Sequence, residues 1–172
     1  MAGGARTLAA GKTKWTVLVT APANEESPTA TELNAGIDMS CDVLMSDFSW
    51  TATDSESIAE DALCDKDTNE AFGKGNYSLG VTLWRKYATA GGPDVTAEAG
   101  WAVMKEKGSE FYAYARESDK DSTEDWEAGD EIFLGGRVAS DTPQRGDGTG
   151  FIKRKVPLKP RKMFNEIVVA GA

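Results

Sequence analysis

The side chains that most often do chemistry are scarce in this sequence. Its 172 residues include no histidine, which removes Ser-His-Asp and Cys-His nucleophiles, histidine-ligated zinc and the usual proton shuttle near neutral pH. Carboxylates are the main candidates left. Asp65-Lys-Asp67-Thr-Asn69 opens like a calcium-binding loop, but Glu70 stands where the turn needs glycine and Asn76 where a glutamate should close the site. A solvated acidic loop is the better reading. Asp119, Asp121, Glu124, Asp125 and Glu127 surround Trp126. A glycosidase pair among them would need one carboxyl kept protonated against apolar surface, and no spacing selects one, so a hydrated turn is expected. Gly73-Lys-Gly75 and Gly146-Asp-Gly148-Thr-Gly150 lack the flanking strand and helix of a phosphate loop and read as turns. Cys41 and Cys64 show neither metal-knuckle spacing nor a disulfide framework, and free structural thiols are expected. The sequence offers no catalytic, cofactor or metal residues.

What remains is charge and where it lies. A chain of this length is expected to form one domain, residues 1–172. Its 28 acids against 19 bases give −9, which argues against tight, sequence-reading nucleic-acid binding. No apolar run is long enough for a membrane span, and the first residues lack the apolar core of a signal peptide, so neither is expected. The charge is unevenly placed. Residues 1–21 carry +3, 22–70 carry −12, 71–116 carry +2, 117–150 carry −7 and 151–172 carry +5. Basic ends and an acidic middle are a cue for interaction.

The elements that must carry these charges are mostly strands. Period-two alternation of apolar and polar residues predicts strands over 14–20, 42–53, 77–87, 109–116, 131–138, 152–158 and 163–170. In the first, Trp15, Val17 and Val19 are expected to face inward, with Lys14, Thr16 and Thr20 outward. The basic C-terminal run, broken by Pro157 and Pro160, reads as an exposed edge or partner surface. One helix is expected from an Asp94 N-cap to Lys107, with Val95 in its apolar stripe, and a shorter helical turn around Ser57–Leu63. Residues 21–41 and 54–72 are irregular and too long for mere connections. The fold class is mainly β (α+β): an antiparallel β-sandwich or barrel-like domain with one flanking helix, about 94–107.

The order of features carries a resemblance. Thr13-Lys-Trp15-Thr-Val-Leu, then Pro-Thr-Ala-Thr-Glu-Leu-Asn-Ala-Gly-Ile-Asp38, Asp61-Ala-Leu-Cys-Asp65, Phe72-Gly-Lys-Gly-Asn-Tyr77 and a helix entered at Asp94 resemble the tail tube (major tail) proteins of long non-contractile-tailed bacteriophages, especially those of actinobacteria. The resemblance implies subunits that form rings, of six copies, stacked into a hollow tube for genome passage. It further implies a tape measure protein in the lumen, tail terminator and distal tail proteins at the ends, and double-stranded DNA only in transit. It places the protein in the virion after assembly in the host cytoplasm. In such proteins a long loop between early strands reaches the next ring, and terminal arms tie subunits together.

The counterparts here are an N-terminal arm, 1–13, a loop, 54–72, and C-terminal strands, 151–172. The loop carries Glu56, Glu60, Asp61, Asp65, Asp67 and Glu70 in a net −6. The basic ends offer Arg6, Lys12, Lys14, Lys153, Arg154, Lys155, Lys159, Arg161 and Lys162. We expect the two to be complementary patches of a head-to-tail contact. A net-negative lumen wall would keep DNA mobile, with Ser78, Thr82, Glu110 and Glu131 as candidate wall residues. The rivals are a carbohydrate-binding β-sandwich using Trp50, Trp84 or Trp126 as a stacking platform, and a ring-forming tail terminator or connector subunit.

Overall fold

A computed structural model describes residues 5–171; residues 1–4 of the N-terminal arm and Ala172 lie outside the described residues. The chain runs through β1 (Thr13–Leu18), α1 (Ala30–Asn34), β2 (Ile37–Asp38), a 3-10 turn (Met45–Asp47), β3 (Ser49–Thr53), β4 (Ser57–Ala59) and β5 (Glu70–Phe72). It continues through β6 (Asn76–Trp84), α2 (Ala99–Met104), β7 (Glu110–Glu117), β8 (Glu131–Ser140), β9 (Gln144–Arg145) and β10 (Lys153–Val168). The fold is mainly antiparallel β with short helices, as the patterning predicts.

Hydrogen bonding links β2-β1-β7-β8-β10-β6-β3 in that order, with β9 beside β10. The long β10 joins the two layers of the sandwich. Residues 153–157 pair with β6, and from Leu158 the strand pairs with β8 instead. Pro157 and Pro160 stand at this transfer, with a register shift between Pro160 and Lys162. Proline has no N–H to give a ladder, so it fits where a strand changes partner and bends into the next layer. Gly136 lies opposite the shift with φ +147, and a Cβ there would sit 2.1 Å from the Lys162 carbonyl oxygen. Only glycine lets β8 come that close.

The main core lies between the layers. Trp15 and Val17 of β1, Phe111 and Ala113 of β7 and Val138 of β8 meet Trp50 of β3, Val81 and Leu83 of β6 and Val156 of β10. Trp15 and Trp50 pack edge to face at 5.4 Å, and Trp50 Nε1 donates to the Leu134 carbonyl across the layers at 2.9 Å. A second cluster of Leu18, Leu33, Tyr114, Trp126, Ile132 and Val169 packs under α1. β1 is therefore covered on both faces, and Lys14 through Leu18 are all buried.

Several expectations need correcting. Lys14 and Thr16 do not face solvent, because α1 and the Trp126 turn close over them, whereas Val19 is exposed. The expected strand over 42–53 is strand only at Ser49–Thr53, behind the 3-10 turn. The expected strands 152–158 and 163–170 are one strand. Its 153–157 stretch is interior, held between β6 and β9 rather than at an edge. α2 covers only Ala99–Met104: Asp94 caps a preceding turn through the Thr96 and Ala97 N–H groups, and Val95 is exposed. The helix is delayed at Glu98, whose carboxylate turns to Arg85 and the Lys86 N–H instead of continuing the helical face. Ser57–Leu63 is no helical turn; it opens a β-hairpin. Both cysteines are free, as expected, and both are exposed.

Candidate assembly surfaces

The expected contact loop is an ordered projection. β4 and β5 pair with each other alone, Ser57 opposite Phe72 and Ala59 opposite Glu70. The hairpin is closed at its base by Glu56 and Lys74 (3.0 Å) and by Gly73 and Glu56 (2.6 Å) backbone bonds. Its tip is shaped from within: Asp65 Oδ2 accepts from the Ala62 N–H at 2.7 Å, and Asp61 Oδ1 from the Asn69 N–H at 2.8 Å. Every residue from 56 to 72 is exposed, including Ile58, Leu63 and Phe72, the last 92% exposed. Of the calcium-like residues, Asp65 and Asn69 shape the tip, and among the described residues no group of three or more carboxylates or thiols is placed to hold a metal ion.

The basic residues divide by what they already hold. Lys14 is buried and paired with Asp38 of β2. Lys12 donates to Asp121 and to the Asp119 carbonyl, both at 2.7 Å, tying the N-terminal arm to the 118–130 turn. Arg161 pairs with Glu110 at 2.9 Å and Lys162 with Glu25 at 3.4 Å. Lys153 reaches Asp147 at 3.3 Å. Arg6, Arg154, Lys155 and Lys159 have no ion pair among the described residues. Among the described residues no ion pair joins the basic ends to the acidic finger.

The lumen candidates also separate. Ser78 is exposed and shares a 2.6 Å hydrogen bond with Ser49, and Glu131 is exposed. Glu110 has its charge met by Arg161. Thr82 is buried and donates to Asp47 at 3.1 Å; it faces no channel in the folded subunit, because the 3-10 turn lies over it.

The second acidic cluster is built around a fully buried cation. Arg116, 0% exposed, sends Nη1 to the Asp125 carbonyl (3.0 Å) and Asp130 Oδ2 (2.8 Å). Its Nη2 goes to the carbonyls of Asp121 (3.0 Å) and Glu124 (3.2 Å). Lys120 bonds Glu127 and Asp130, both at 2.7 Å. The expected hydrated turn is thus a wrapped one, with Trp126 as its buried plug, its Nε1 donating to Thr16 at 2.8 Å. Of these carboxylates, Asp121 is engaged by Lys12, and Glu127 and Asp130 by Lys120 and Arg116. Trp50 and Trp126, both buried, are unavailable as sugar platforms, which weakens the carbohydrate-binding rival.

Two largely buried ion pairs contribute to the acid response. The Arg85 hydrogen bonds, helped by the Lys86 N–H, hold the Glu98 carboxyl below its ordinary value of 4.5 against the opposing effect of burial. For Asp130, burial pushes the carboxyl up, but Lys120, the Glu127 N–H and Arg116 together outweigh it, leaving it below 3.8. A depressed carboxyl stabilises the fold above its unfolded value and loses that contribution as pH falls through the folded one. In urea melts, E98Q should therefore be less stable than the parent at pH 7, and the gap should narrow below about pH 4. A gap that stayed constant to pH 3 would show that the pair is not acid-linked.

A β-sandwich that spends its buried charges on its own turns and projects an ordered, apolar-tipped finger is built as a structural subunit. The family model for phage tail tube protein matches residues 1–172, and the chain belongs to that family. Among curated proteins none matches it significantly in sequence. Membership makes the chain a structural virion component that assembles with its own kind into a tube. Among the described residues no helix is long and apolar enough to cross a membrane.

Proposed function

We propose that this chain forms rings of six copies that stack head to tail, the 57–72 hairpin of one ring reaching the next. The observation that carries this is the hairpin itself, ordered by its own ladder yet exposed along its whole length. Lateral contacts have a natural seat as well. From Lys159 onward β10 pairs with β8 alone, so its other edge offers unpaired backbone groups to a neighbouring copy. The lumen would carry DNA in transit and a tape measure protein before that, with terminator and distal tail proteins closing the ends. Ser78 and Glu131 remain the wall candidates, since a negative or neutral wall lets DNA slide.

Negative-stain microscopy of the purified protein across a salt series tests this reading. Tubes are expected at low salt, with yield falling several-fold toward 1 M as charge pairing is screened. A monodisperse monomer under all conditions would overturn the reading, and single rings that never polymerise would point to a terminator-like subunit.

A further inference from the structure

The hairpin grows from one end of β6, and a basic hollow lies at the other. Residues Asn76–Trp84 of β6 separate them, which at about 3.3 Å per residue is roughly 26 Å. The hollow, about 290 Å³, is lined by Tyr87, Arg145, the glycines of 146–150, Phe151, Ile152 and Arg154. It is formed where the Arg85 N–H bonds the Ile152 carbonyl at 2.8 Å and β9 pairs with the start of β10. Residues 144–155 hold four bases and the single acid Asp147. Arg145 is exposed and has no ion pair among the described residues, and neither has Arg154. Phe151 is 81% exposed and Ile152 and Tyr87 are also exposed. A basic hollow flanked by the exposed side chains of Phe151, Ile152 and Tyr87 thus lies at the opposite end of the strand from an acidic tip that carries exposed Leu63.

We infer that this hollow is the socket for the hairpin tip of a second copy of this chain. The inference rests on the head-to-tail reading above and names the surface that reading leaves open. Leu63, at the apex, enters the hollow beside Phe151, and Glu60 and Asp67 face Arg145 and Arg154. Both lie near the tip and are free for this, whereas Asp61 and Asp65 are engaged in shaping it. A finger and a socket at opposite ends of one strand make a heterologous contact when copies stack in the same direction, and such a contact propagates along an axis where its rotation does not close a ring. Opposite charge fixes the register, and the buried apolar side chains supply affinity.

Cys64 sits beside Leu63 at the tip, so oxidation can report the contact. In C41S/F151C, where both replaced side chains are exposed, oxidised tubes should give a ladder of covalent multimers on non-reducing gels. C41S alone should give none. Tubes without a ladder, or with dimers only, would overturn the socket; no tubes from C41S would overturn the stacking reading and this inference with it. Charge reversal provides a second arm. R145E/R154E and E60K/D67K should each fail to form tubes alone, and a mixture should restore them, because each finger then meets a socket of opposite sign. Tubes from either variant alone, or none from the mixture, would count against the assignment.

Discussion

Arg116→Ala should lower the stability of the subunit by about 3–5 kcal/mol, the usual cost of leaving a buried charged partner unmatched. The guanidinium is enclosed, and four hydrogen bonds run from it to three carbonyls and to Asp130. Its carbon lies 5.2 Å from the centre of the Trp126 ring. Without it three carbonyls lose their donor. Asp130 keeps Lys120, so the lower half of the range is expected. Arg116→Lys should recover little, because an ammonium is a point charge and cannot span a fork of carbonyls. By contrast, Arg161→Ala removes an exposed pair with Glu110 and should cost less than about 1 kcal/mol. Urea melts on dilute, unassembled protein check both. A loss under 1 kcal/mol for Arg116→Ala would mean that the turn is held by Lys120 and Trp126 instead. The effect should also reach the N-terminal arm, since Lys12 and the Gly11 carbonyl are fastened to this same turn.

Arg116 also shows how far sequence reading goes. Strands β6, β7 and β8 were legible because Leu79, Val81 and Leu83, Phe111, Ala113 and Ala115, and Leu134 and Val138 recur at even spacing toward the main core, although their other faces are largely covered too. β1 misled: a strand buried on both faces still alternates in polarity when its outer face is lined by Lys14 and Thr16, each given a specific partner. Those partners, Asp38 and Trp126, lie 24 and 110 residues away, a distance no local pattern reports. α1 had a visible signal, since Thr29 and Glu32 form a capping box in which each side chain satisfies the other's backbone N–H. It lay inside a stretch that length and composition marked as irregular. The hairpin was legible as an unusually long loop, but strands of three residues are too short to show a period. Arg145 drew no notice because it lies in a segment of net −7; only pairing of β9 with β10 carries it to the basic side.

Replacing residues 57–72 with Asn-Gly, so that Glu56 and Gly73 are joined by a tight turn, should abolish tubes and leave the subunit folded. The backbone bonds at the hairpin base already bring these two residues together, so a two-residue connection fits the existing ends. The removed segment is exposed throughout, and shortening the connection from sixteen residues to two changes loop-closure entropy by only about 2 kcal/mol, in the stabilising direction. The melting temperature of the dilute subunit should therefore move by a few degrees at most. Assembly is affected quite differently. Each inter-subunit joint would lose Ile58, Leu63 and Phe72, and burying one such side chain is worth about 1.5–3 kcal/mol. The joint is repeated around the ring, so the losses combine, and sedimentation should show only rings or monomers at concentrations where the parent forms tubes. Tubes of parental length would place the axial contact elsewhere on the sandwich. A large fall in subunit stability would show instead that the finger belongs to the fold.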